Sequence, residues 1–273
     1  MRILRYILSI ACVAMLTTSC VVSRAILYGD ASVDDYRAFE QENIAKGDYT
    51  FRFAKSAESE RMLDTMRFEW MLFGRGEMAQ MTIDEAIAPS VDNAAIIIIH
   101  RDTILYERYF GEWSKSTQSQ IFSVTKTITA MLCGVALTEG HIRSVEDRVT
   151  EYLPELKQAD PMFEELKIKH LLDMTAGLDF DENYSFNPFS KMAKLYMGRN
   201  TMRIIERAKF SHKPGERYDY NSLTTAILGV VIERATGMPY AEYLSSKIWQ
   251  PLGMEQSASI GVDDKKHRVA KSY

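Results

Sequence analysis

Ala94 to Ile99 reads Ala-Ala-Ile-Ile-Ile-Ile, an unbroken apolar run that ends in four β-branched residues. A half-buried strand alternates apolar and polar positions. A continuous run of this kind is expected to be covered on both faces, at the centre of a sheet. The polar turn His100-Arg101-Asp102-Thr103 follows, and Ile104 to Phe110 alternates as a return strand. Two strands do not stand alone in water, so this hairpin demands further strands or covering helices. Upstream, Tyr49, Phe51 and Phe53 alternate with polar neighbours and predict a short strand. Glu58 to Phe73 has helical period, with Met62, Met66, Trp70 and Phe73 on one face as core packing.

Downstream the pattern changes to helix. Ser123–Thr138, Ile168–Met174, Thr201–Lys209, Ser222–Thr236 and Tyr240–Trp249 are predicted helices. Gly140, Gly177, Gly237 and the Pro251/Gly253 pair mark several of their ends. Few obvious strands follow before Tyr273, so the sheet is expected to lack its closing strands and the chain to be unstable as written. The composition, 46% apolar and 26% charged, excludes a disordered, collagen-like or polytopic membrane chain. Against a net charge of −4, no lysine or arginine run points to nucleic acid. Cys12, Cys20 and Cys133 have no metal-ligand spacing, which argues against a disulfide scaffold or a zinc site. No metal or organic cofactor is expected, and Cys133, inside TAMLCGVAL, is expected in the core.

The first residues have the layout of a bacterial export signal. Arg2 and Arg5 precede the apolar stretch Ile7 to Leu16, and Thr17, Thr18, Ser19 and Cys20 follow. This resembles a lipoprotein signal, in which Cys20 becomes the lipid-bearing first residue and anchors the chain to a membrane. A plain signal peptide or a short uncleaved anchor are the alternatives, and export follows from each.

The chemistry narrows by exclusion. No G-x-S-x-G elbow, H-E-x-x-H helix or Walker A loop occurs. What remains is Ser123-Val124-Thr125-Lys126. A serine hydroxyl is a weak nucleophile and needs a base. A lysine three residues on lies one helical turn away on the same face. If that lysine is desolvated, its ammonium is disfavoured and it can take the serine proton. A serine opening a helix also has unbonded backbone N–H groups beside it, able to hold an oxyanion. With 21 serines and 15 lysines in 273 residues, about one S-x-x-K is expected by chance, so the context must carry the reading.

Four segments supply that context. IFSVTKTITAMLCGVALTEGHIRSVEDRVTEYLPEL, IKHLLDMTAGLDF, PGERYDYNSLTTAILGVVIERATG and IWQPLGM occur in this order. Together they resemble the β-lactamase-related serine hydrolases, the family of class C β-lactamases, penicillin-binding D-alanyl peptidases, esterases and aminohexanoate-oligomer hydrolases. The resemblance runs from about Asn93 to the end. It implies an α/β fold of the β-lactamase/transpeptidase type, a mixed antiparallel sheet with a helical subdomain. It implies Ser123 as the acylated nucleophile, Lys126 as its activator and Tyr220 as a proton relay to the leaving group. Ser222 stands at the third position of the family's Y-x-N, with Asn221 one place earlier, and both are expected to bind substrate. The Y-x-S form is similar to the aminohexanoate-hydrolase branch and favours ester or amide hydrolysis over β-lactams. No K-T-G or H-x-G follows Tyr220.

The expected division is a signal over residues 1–19, an N-terminal extension over 20–85 and a partial hydrolase domain over 86–273. The expected function is an exported serine hydrolase working through an acyl-serine on a small-molecule or peptide ester or amide. The alternative is a truncated, non-catalytic, membrane-tethered remnant or binding module.

Overall fold

The computed structural model describes residues 21–29, 31–72, 76–87, 95–184, 187–264 and 268–273. The signal stretch and Cys20 lie outside the described residues. The chain forms two compact units, Met1–Thr50 with Ser119–Tyr273, and Phe51–Gln118. The boundary expected at residue 85 falls inside the second unit.

The first unit opens with helix α1 (Val21–Tyr28), where Arg24 donates to the Met197 carbonyl at 3.0 Å, and strand β1 (Glu40–Ile44). The chain then enters the second unit through β2 (Ala54–Lys55), a two-residue strand. The strand expected around Tyr49 to Phe53 is therefore displaced. All three aromatics are exposed, and the Phe51 and Phe53 rings pack edge to face 5.0 Å apart. Helix α2 (Ala57–Thr65) begins at Ser56, whose hydroxyl accepts from the Ser59 N–H.

That helix stops well short of the expected Phe73. Met66 is extended, and β3 (Phe68–Leu72) pairs antiparallel with β4 (Glu77–Met81). Phe68 and Trp70 suit the period of a strand as well as that of a helix, and the partner strand decides between them. Met62 and Met66 are exposed, so the expected apolar stripe is not core.

After α3 (Ile83–Ile87) come β5 (Ala95–His100) and β6 (Thr103–Tyr109), antiparallel as expected. Arg101 and Asp102 both have positive φ, 48° and 57°, the geometry of a two-residue hairpin turn. Among the described residues the strand order β2-β6-β5 leaves the isoleucine strand at an edge. Ile97 is 51% exposed and Ile99 41%, so the expected burial of both faces does not hold. Ile96 and Ile98 turn the other way and line a groove with Phe68, Trp70 and Ile83.

The chain returns to the first unit with α4 (Val124–Thr138), α5 (Ile168–Leu172), α6 (Lys191–Met197), α7 (Thr201–Ile205), α8 (Ser222–Thr236) and α9 (Tyr240–Leu244). A π-turn (Ser245–Trp249) extends α9, and β7 (Ala258–Val262) follows. Helix α8 is the axis of the core, buried at every position from Ser222 to Ile232. Asn221 caps its start, accepting from the Thr224 N–H at 2.9 Å, and Gly237 ends it at φ 68°. Leu132, Cys133 and Ala136 of α4 are buried in the same cluster, with Leu153, Leu156, Phe163 and Leu166 from the 3-10 turns before α5. Strands β1 and β7 pair antiparallel, from Glu40 beside Val262 to Ile44 beside Ala258. Among the described residues no helix is long and apolar enough to cross a membrane.

Candidate active site

Ser123 stands at the N-cap of α4. Residue Phe122 before it is held at φ 45°, in the left-handed region that a bulky side chain rarely adopts. A serine at this position ordinarily uses its hydroxyl to cap the first turn. Here the hydroxyl makes no capping bond, and Lys126 Nζ approaches its Oγ at 3.1 Å. The unbonded N–H groups expected beside the serine are largely taken up in the turn. Val124 N–H donates to the Ile121 carbonyl at 3.2 Å and Thr125 N–H to Phe122 at 2.9 Å. Among the described residues no carbonyl takes the N–H of Ser123 itself.

Lys126 is buried, and its Nζ also reaches Ser222 Oγ at 2.9 Å. The Tyr220 ring centroid lies 5.0 Å from the same nitrogen, so the ring face meets the lysine head group. Ser222 is the first residue of α8. Its N–H donates to Glu182 Oε2 at 2.7 Å and its hydroxyl to Glu182 Oε1 at 2.6 Å. The Tyr184 hydroxyl donates to the same Oε1 at 2.5 Å. Burial, and then the Glu182 carboxylate, push the Tyr184 hydroxyl well above its ordinary value, while hydrogen bonding with Ser123 opposes the rise.

A backbone stitch brings these groups to Lys126. Gly177 has φ 75°, and a Cβ there would lie 2.3 Å from the His212 carbonyl oxygen, so only glycine fits. Ser211 N–H donates to the Gly177 carbonyl at 2.9 Å, Leu178 and Phe210 form a bridge, and Asp219 N–H donates to Met174 at 2.7 Å. The segment carrying Glu182 and the one carrying Tyr220 and Ser222 are thereby laid together.

Ser123, Lys126 and Ser222 open onto a cavity of about 630 Å³, also lined by Phe122, Tyr184 and Met192. Four of the sequence-predicted residues, Ser123, Lys126, Tyr220 and Ser222, therefore converge. Asn221 does not join them in the role expected of it. Its side chain is fully buried and accepts from both the N–H and the hydroxyl of Thr224, so it holds the helix rather than meeting a substrate. Cys133 is buried as expected, and burial raises its thiol to about 11, outside the range of a reactive cysteine. Glu182 and Tyr184 escaped sequence reasoning. Their segment, Asp179-Phe180-Asp181-Glu182-Asn183-Tyr184, is an acidic loop with no period, and only its position just after TAGL could have flagged it.

Residues 81–273 match the sequence profile of the Beta-lactamase family. The chain belongs to that family. Its curated relatives include the 6-aminohexanoate-dimer hydrolase of Paenarthrobacter ureafaciens, 27% identical over 180 residues that cover 62% of this chain and 45% of that protein. Protein flp of Staphylococcus aureus (strain COL) is 25% identical over 192 residues, 67% of this chain and 38% of that one. The chain thus spans less than half the length of these two relatives. Among solved structures, the "Putative 6-aminohexanoate-dimer hydrolase from Bacillus anthracis" superposes with a TM-score of 0.73 at 22% identity, covering 88% of this chain and 62% of that one. FmtA from Staphylococcus aureus gives 0.50 at 17% identity, over 88% and 68%. At these identities the structures speak to the fold, which is the β-lactamase/transpeptidase-like type.

Proposed function

We propose that this Beta-lactamase family member is a serine hydrolase that cleaves an ester or amide through an acyl-serine at Ser123. The observation that carries the reading is Lys126 Nζ within 3.1 Å of Ser123 Oγ and 2.9 Å of Ser222 Oγ, at the mouth of a cavity able to hold a small acyl group. As the neutral amine, Lys126 takes the Ser123 proton while Oγ forms its bond to the substrate carbonyl carbon. The tetrahedral oxyanion gathers beside the Ser123 N–H. The bond to the alcohol or amine then breaks, and the leaving group collects a proton that Tyr220 relays from Lys126. Water attacks the acyl-serine by the same route in reverse order of proton transfers, releasing the acid and restoring Ser123. The names of the aminohexanoate-dimer hydrolase relatives support an amide or ester in preference to a β-lactam.

A fluorophosphonate probe should label the protein, and Ser123→Ala should abolish labelling and lower p-nitrophenyl ester turnover by about 10³-fold or more. Labelling that survives the substitution assigns the nucleophile elsewhere. The export layout of residues 1–19 further supports a protein carried out of the cytoplasm and anchored through a lipid on Cys20. A palmitate analogue should mark the chain in cells, and Cys20→Ser should block the mark. A mature chain that carries no lipid removes the anchor.

A further inference from the structure

We propose that Glu182 is a positioning residue that sets the direction of the hydrogen bonds around Lys126 and so keeps the lysine lone pair aimed at Ser123. This rests on the serine-hydrolase reading above. The direction of these bonds follows from the number of protons available. The Glu182 carboxylate only accepts, and three donors reach it: the Ser222 N–H at 2.7 Å, the Ser222 hydroxyl at 2.6 Å and the Tyr184 hydroxyl at 2.5 Å. A hydroxyl has a single proton. With that proton on Glu182, Ser222 Oγ has only lone pairs left for Lys126 Nζ at 2.9 Å. Ser222 must therefore accept from the lysine and cannot donate to it.

The consequence falls on the base. A neutral amine has two N–H bonds and one lone pair. One N–H is tied to Ser222 Oγ, and the lone pair is left for the Ser123 hydroxyl at 3.1 Å, whose proton has the Tyr184 oxygen as its competing acceptor. Without Glu182 the Ser222 hydroxyl is free to rotate. It then donates its proton to the lysine lone pair, and the base is occupied by the wrong serine. The contact is charge-assisted, and the second carboxylate oxygen holds the Ser222 backbone, so the hydroxyl has little freedom while Glu182 is present. Tyr184 is fixed in the same way and presents lone pairs rather than a proton toward the cavity. No bond is made or broken by Glu182 at any step.

The test is the maximal rate of Ser123 acylation by a fluorophosphonate in the full chain, with the probe's half-saturating concentration, the final labelling stoichiometry and the thermal midpoint measured beside it. Glu182→Leu removes both acceptor oxygens and with them all three hydrogen bonds, and the maximal rate should fall roughly 10- to 100-fold, a part of what a positioned base supplies. The half-saturating concentration should stay within about twofold and the stoichiometry should remain complete, because binding and folding are not the affected step. Glu182→Gln retains one acceptor oxygen and should fall between parent and Glu182→Leu. In a Ser222→Ala background, Glu182→Leu should have no further effect on the acylation rate, since no Ser222 hydroxyl is left to turn onto the lysine lone pair. Ser123-dependent labelling at the parental rate in Glu182→Leu overturns this proposal alone, as do additive effects in the double variant. A rate loss matched by lost stoichiometry and a lowered midpoint assigns Glu182 a purely structural role and also overturns it. Labelling that does not depend on Ser123 overturns the hydrolase reading together with it.

Discussion

Ser222–Ile232 in α8 and Ala95–Ile99 in β5 are both dense apolar stretches, yet they end in opposite environments. Every residue of the α8 stretch is buried, the hydroxyls of Ser222, Thr224 and Thr225 included. In β5, Ile97 and Ile99 are open to solvent, and only Ile96 and Ile98 turn toward other side chains. Apolar composition states a tendency to leave water, and neighbours decide whether it is met. Helix α8 lies among α4, α5, α9 and the turns between them. Strand β5 has one strand partner, β6, among the described residues. The same contrast separates the candidate site. The unit built on α8 holds Ser123, Lys126, Ser222 and Glu182, and the packing that buries α8 is what brings its first residue onto a lysine of α4.

The contrast can be tested by substitution. The largest expected effect is on the chemistry placed in the first unit. Lys126→Arg keeps the charge but cannot yield a neutral base, so ester turnover should fall about 10²- to 10⁴-fold. Near-parental turnover would take the general base out of this unit. Next comes the core itself. Leu132→Ala, at a fully buried position of α4, should lower the unfolding free energy in urea by about 2–5 kcal/mol. A loss below about 1 kcal/mol would mean that the core around α8 is loosely packed.

A smaller effect should appear as a pH dependence. Burial raises the Glu233 carboxyl from 4.5 to about 7, and its contact with the Tyr240 N–H only partly opposes this. The folded state therefore holds this proton more tightly than the unfolded chain. The stability it contributes is complete below about pH 4.5 and is lost as pH rises toward 7. Relative to Glu233→Gln, the parent should lose roughly 1–3 kcal/mol between pH 4.5 and 8. Parallel pH profiles for the two proteins would place Glu233 in water. The smallest effect belongs to β5. Ile97→Thr, on the exposed face, should change stability by no more than about 0.5 kcal/mol. A cost as large as that of Leu132→Ala would show that this face is covered in solution and would break the contrast.

The helices were legible where chain-local signals agree. Ser222–Thr236 was read to the residue, because a polar cap and a left-handed glycine bracket a continuous apolar run. The hairpin of β5 and β6 was legible for the same reason. Glu58 to Phe73 was not. Its apolar residues satisfy both periods, and pairing with β4 overrides the helix from Met66. Strand β1 was invisible, since Glu-Gln-Glu-Asn-Ile carries no strand pattern and only pairing with β7 across the unit makes it one. In the site, Ser123 and Lys126 were found, while Glu182 was not.

What the sequence by itself determined is what three or four residues of chain can enforce. Ser123 and Lys126 meet because one helical turn separates them, and the cap and the glycine define α8 within its own length. The tertiary structure alone decided the rest. Ser222 reaches Lys126 across 96 residues and Glu182 reaches Ser222 across 40, and neither leaves a periodic trace. Helical spacing follows from backbone geometry and needs no partner. A hydrogen bond between distant residues exists only after the packing of α8, the Gly177 stitch and the loops between them have offset the entropy of closing the chain. That is why the Ser123–Lys126 pairing is set by one helical turn, while the Glu182 carboxylate beside Ser222 could be found only in the fold.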